Sequence, residues 1–273
     1  GILITVRDVA VVARFDQATF PEWSGIYGQD AADGQTVYFL NGRGDAANTS
    51  LAQAMNGFTV VRRNGSAAAG VDFAPLTNYW IGTFNLLGSV SAPSFGVGAI
   101  HNVPLRCWIG DIVELASFSS TLNTVQRSLI ENYLSAKYAI PLAPGESKYA
   151  GANAAKGGYS YGVFGIGRQD EANQHRSSGS AGLGLKWDEG VHDGGWVLAG
   201  HKTPTNSLAS RRWARTWYID STGLTGTETI AISFGWKEAG LGTVNPSYQS
   251  LLYSSADGGP FRILVSGGAY VSD

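Results

Sequence analysis

The sequence predicts an all-β protein of two domains with a single helix, and three observations carry that prediction. Glycine is abundant, 37 of 273 residues, while charged residues make up only 15%; glycine disfavours helices and suits turns that need positive φ. Short segments of alternating or apolar pattern recur, punctuated by the turn dipeptides Asp33-Gly34 and Asn64-Gly65. One stretch, residues 123–139, carries apolar residues at helical spacing. A Pro/Gly-rich run of small residues, 142–158, has the composition of a domain boundary. The boundary falls near residue 143, giving domains 1–142 and 143–273.

Residues 2–15 alternate as one or two strands, and 21–24 interrupt them, leaving Trp23 in a loop. Residues 25–40 read as a hairpin turning at Asp33-Gly34, with Asp30 and Asp33 flanking the turn. Residues 41–57 have loop composition with a short helical turn around 50–55. A second hairpin signal follows at Asn64-Gly65, then a strand pair over 71–84 broken at Pro75. Trp80 and Trp108 are read as core, since tryptophan is highly buried on average.

Residues 111–118 form a nearly unbroken apolar run of strand length, as expected for a strand covered on both faces. Its carboxylate Glu114 is expected to be partly buried and satisfied by backbone or a neighbouring arginine. Odd spacing places Asp111 and Glu114 on opposite faces. The helix that follows has Asn123 as its N-cap, with Gln126 completing a capping box. Val125, Leu129, Ile130, Tyr133, Leu134 and Tyr138 form its apolar face; Gln126, Arg127, Glu131, Asn132 and Ser135 form the other. Lys137 suits the last turn, and Pro141 ends the helix by about Ala139. Beyond the boundary, short strand-like segments recur to the end of the chain and describe a second β domain. Within it Trp213, Arg215 and Trp217 share one face of a strand, a guanidinium between two indoles. That triplet reads as a structural ladder, with a ligand platform as its alternative.

The stretch 110–140 also resembles the closing segment of bacterial laminin-G-like, concanavalin A-like jelly-roll domains. The residues that match are Gly110, Asp111, Ile112, Glu114, Glu131, Tyr133, Leu134, Lys137 and Tyr138. Gly165, Gly167, Arg168, Asp170, Val197, Leu198, Gly200, Arg211, Arg215 and Trp217 similarly look like a module that follows such domains in large bacterial surface proteins. The resemblance implies a concanavalin A-like jelly-roll sandwich with one closing helix, followed by a smaller β-sandwich. It also implies a secreted or cell-surface parent that recognises a polysaccharide or glycosylated surface.

Net charge is −2, which offers no basic field for nucleic acid. No run approaches the roughly 20 apolar residues of a membrane-spanning helix, so membrane insertion is not expected. The first residues show no signal-peptide pattern and start at once in strand alternation, as in a mature or trimmed chain. The lone Cys107 precludes an intrachain disulfide and leaves the compartment open. No paired-carboxylate glycosidase signature, zinc motif, nucleophile elbow or dinucleotide fingerprint is present, so the chain is read as non-catalytic. Loop aromatics and carboxylates gather at Trp23, Tyr27, Asp30 and Asp33, the expected carbohydrate-binding rim; the bland reading is that Trp23 plugs the sandwich edge. Asp30 and Asp33 are also the only candidate calcium ligands, two carboxylates for a cation that wants six or more oxygens, so the expected cofactor is calcium or none. The alternative to glycan binding is a structural module of a surface layer, filament or virion that associates with copies of itself.

Overall fold

The alternation at the N-terminus folds as one long strand, β1 (Ile4–Phe15), and its two faces organise everything around it. The computed structural model describes residues 4–20, 23–29, 38–42, 49, 51–53, 57–68, 72–92, 94–99, 106–205, 208–209, 212–213, 215–235, 250–254 and 262–266. Among the described residues it is all-β apart from one α-helix and one 3-10 turn. The chain divides into two compact units, one of residues 1–147 with 171–174, the other of 148–170 with 175–273.

In the first unit the strands after β1 are β2 (Gly25–Gln29), β3 (Tyr38–Gly42), β4 (Leu51–Gln53), β5 (Phe58–Arg63), β6 (Ser66–Ala67), β7 (Trp80–Ala92), β8 (Phe95–Val97) and β9 (Gly110–Phe118), and α1 is Thr124–Tyr138. Two antiparallel sheets result, ordered β6-β5-β7-β1-β9 and β4-β3-β2-β8. Val9, Val11, Ala13 and Phe15 of β1 join Ile26, Leu40, Leu51 and Trp80 in the core shared by the sheets. A ring cluster of Phe15, Phe20, Phe73, Trp80, Phe84 and Trp108 fills it, with centroids 4.7 to 6.3 Å apart. The alternate residues Ala10 and Val12 pack with Ile81 against Leu134 and Ile140. Helix α1 therefore covers the outer face of the five-stranded sheet, and period-two alternation feeds two cores at once.

Helix α1 begins as its sequence specifies. The Asn123 side chain accepts from the Gln126 amide, the Gln126 side chain accepts from the Asn123 amide, and Ala139 closes the helix in the left-handed conformation. The first turn has further partners in the segment 171–174 of the same unit. Asn173 Oδ1 accepts from the Thr124 amide at 3.1 Å, and Asn123 Nδ2 donates to the Gln174 carbonyl at 3.0 Å.

Four local expectations are corrected. Arg127, Glu131 and Asn132 are not on an outward face but are 5%, 1% and 3% exposed: the sheet beneath supplies polar partners to Arg127 and Glu131, and Asn132 donates to the Ser128 and Glu146 carbonyls. Asp8, itself 1% exposed, accepts from Arg127 at 3.2 Å, from Asn85 at 2.6 Å and from the Leu122 amide at 3.1 Å. Glu131 receives Arg62 through two bonds of 2.9 and 3.1 Å and the Thr83 hydroxyl at 2.6 Å. Second, β9 is an edge strand, only partly buried. Its pairing with β1 slips between Val12 and Ala13, which sit opposite Glu114 and Ile112, so Val113 is an extra residue. The bulge turns Glu114 to the helix side, the side on which Arg14 meets Asp111, so the two carboxylates share a face and do not oppose each other. Third, residues 51–53 are strand, not a helical turn, and 73–79 lack strand pairing, so β7 starts only at Trp80. Fourth, Trp213 and Trp217 lie on different strands.

The expected hairpins are present: β2 pairs with β3, and β5 with β6 through Asn64 and Gly65, both at positive φ. The turn 30–37 lies outside the described residues.

The second unit contains β10 (Tyr161–Arg168), His175 of β11 (Gln174–His175), β12 (Ser177–Ser180), β13 (Leu183–Glu189), β14 (Trp196–His201), β15 (Leu208–Ala209), β16 (Arg212–Trp213), β17 (Trp217–Thr222), β18 (Thr229–Phe234), β19 (Ser250–Tyr253) and β20 (Arg262–Ser266). Sheets β11-β10-β14-β17 and β12-β13-β18 enclose Ile166, Leu183, Leu185, Trp187, Val197 and Ala199. This too is a two-sheet core.

Candidate functional site

The end of the helix-covered sheet forms an open cleft of about 420 Å³ lined by Arg14, Thr77, Asn78, Tyr79, Tyr138, Ala139, Ile140 and Pro141. Three stretches build it: the end of β1, the segment before β7, and the end of α1 with its left-handed cap. Tyr79 is 43% exposed, held upright by its hydroxyl, which donates to Asp111 Oδ2 at 2.5 Å. Arg14 lies across that ring at 5.2 Å from its centroid and pairs with Asp111 at 2.9 Å and Asp16 at 3.1 Å. The Tyr79 hydrogen bond, reinforced by Arg14, holds the Asp111 carboxyl below the usual range, and the same bond raises the Tyr79 phenol.

A second cluster adjoins Tyr138. Glu114 accepts from the Tyr133 hydroxyl at 3.2 Å, Lys137 at 2.8 Å and the Tyr138 hydroxyl at 2.6 Å. Lys137 also lies 5.3 and 5.2 Å from the Tyr133 and Tyr138 ring centroids. Burial pushes the Glu114 carboxyl up, but its three donors outweigh burial and hold it below the usual range. Its partners are thus a lysine and two phenols, in place of the expected backbone or arginine. Held between them, the Tyr138 ring is fixed at the cleft wall.

The residues singled out in sequence lie elsewhere. Trp23 is 39% exposed. Tyr27 is 6% exposed, its ring stacked on Phe95 at 5.1 Å within the core; that stacking covers the ring face a sugar would use. Asp30 and Asp33 lie outside the described residues. Among the described residues no group of three or more His, Cys, Asp or Glu side chains is placed to hold a metal. The Trp213 and Trp217 rings meet each other edge to face at 6.4 Å, and the Arg215 guanidinium lies beside the pair, 5.9 and 6.0 Å from the two centroids, rather than between them. It also donates to the Ala181 and Pro204 carbonyls. The cleft residues carry no local signature, because residues 14, 77–79 and 138–141 meet only through the sheet and helix. An exposed tyrosine directly before a buried tryptophan, Tyr79-Trp80, is the one local hint.

Scans of this chain against protein-family models, curated proteins and solved structures find no match. Among the described residues, no helix is long and apolar enough to cross a membrane.

Proposed function

We propose that this chain is a non-catalytic carbohydrate-binding or adhesion segment of a larger surface protein, and that its ligand lies in the Tyr79 cleft. The observation that carries the reading is the exposed Tyr79 ring, pinned by Asp111 and flanked by the neutral side chains of Thr77 and Asn78. Sugar rings present apolar C–H faces that stack on phenol, while their hydroxyls need nearby amide or hydroxyl partners. A ring already held in place loses little conformational entropy when it is covered. The resemblance of residues 110–140 to laminin-G-like domains supports the same class of ligand. A glycan array run with and without calcium tests it. Tyr79→Ala, at an exposed position, is expected to weaken binding at least about tenfold, the equivalent of one lost ring contact of about 1.4 kcal/mol. Loss in Trp23→Ala or Asp30→Ala instead, with Tyr79→Ala still binding, would return the ligand to the Trp23 rim.

The edge strand β9 favours a second reading, self-association as a structural module. Among the described residues no strand pairs with its outer edge, and Ile109 and Val113 beside that edge are 44% and 42% exposed. Such edges template strand addition. Sedimentation of the purified chain distinguishes the two: assembly without glycan binding supports the structural module.

A further inference from the structure

Resting on the glycan reading above, we infer that the cleft selects electrically neutral glycans and discriminates against uronic, sialylated or sulfated ones. Among the described residues, the two cations at its mouth, Arg14 and Lys137, are already matched. Arg14 is shared between Asp16 and Asp111, and Lys137 is bound to Glu114. Two cations thus face three carboxylates. An anionic sugar would have to displace a protein carboxylate from Arg14 and would meet the field of the others. At 37% exposure for Arg14 and 44% for Asp111, that field is screened but not abolished.

The hydroxyls of Tyr79 and Tyr138 are likewise committed, to Asp111 and Glu114. Arg14 lies over one face of Tyr79, while Tyr138 packs on the core and under Lys137, so the ring face on offer is the other face of Tyr79. Hydrogen bonding falls to Thr77 and Asn78, both exposed and uncharged. An amide and a hydroxyl each donate and accept, as sugar hydroxyls do, and neither supplies a charge partner. The cleft volume lies within the range of small-ligand sites. Ring stacking plus neutral hydrogen bonding is the chemistry of a hexose or N-acetylhexosamine.

The experiment is calorimetric titration of the intact chain with a neutral oligosaccharide and with its uronate or sialylated counterpart, at low and high salt. The neutral sugar is expected to bind with less than about twofold change between salts, and the acidic one at least about tenfold more weakly. In Asp111→Asn, which leaves Asp16 as the one carboxylate of this pair of partners on Arg14, the ratio of acidic to neutral affinity is expected to rise about fivefold or more at low salt. The melting curve and near-ultraviolet spectrum check that this variant is folded. Tighter binding of the acidic sugar to the unaltered chain, falling with salt, would overturn the neutral-ligand inference and leave the glycan reading standing. An unchanged ratio in folded Asp111→Asn would show that the paired arginine does not set selectivity. No binding of any glycan would remove both.

Discussion

Arg127 shows how far a single polar side chain can be bound up with the fold. Its guanidinium is buried over Asp8, which Asn85 and the Leu122 amide also bond. Breaking such a pair on one side leaves an uncompensated charge and typically costs about 3–5 kcal/mol. Arg127→Met is expected at the lower end of that range, because the other two donors still satisfy Asp8. The double variant Asp8→Leu with Arg127→Met is expected to cost less than the sum of the single changes, since replacing both partners removes the stranded charge. Urea denaturation of the four proteins measures the difference; strict additivity would mean that the pair contributes no coupling. Glu131 behaves differently from the exposed carboxylates. Burial raises its pKa, despite Arg62 and Thr83, so its charged form is tolerated at a cost that acidification relieves.

At the scale of elements, α1 is the part of the fold most legible in the sequence. Asn123→Ala removes the cap acceptor and also the donor to the Gln174 carbonyl, and is expected to cost about 1–2 kcal/mol, read as a lower denaturation midpoint. An unchanged midpoint would show that water replaces both bonds. The cap was legible because its partners lie three residues apart. The burial of Arg127 and Glu131 was not, because the partners Asp8, Arg62 and Thr83 come from β1, β5 and β7. The Val113 bulge was equally invisible: in a run apolar on both sides, nothing local fixes which residue is the extra one. The core tryptophans Trp80 and Trp108 were readable from residue type alone. The cleft was not, since a binding surface built from three distant stretches has no sequence period.

For the molecule as a whole, two sheets in each unit supply separate cores, and the first unit draws residues from both sides of the 147/148 division. A fragment ending at residue 147 lacks Asn173 and Gln174, and with them two bonds to the start of α1. At about 1 kcal/mol net per bond, its melting temperature is expected to fall several degrees, roughly 2–8 °C, below that of the same unit in the intact chain. Equal melting temperatures would show that residues 171–174 contribute nothing. The same discontinuity bears on how such a unit is inherited. A genetic exchange that cuts at the 147/148 joint transplants both sheets and the helix but leaves four residues behind, and the recipient must provide its own cover for the helix start. An exchange that moves the two units together carries that cover with it.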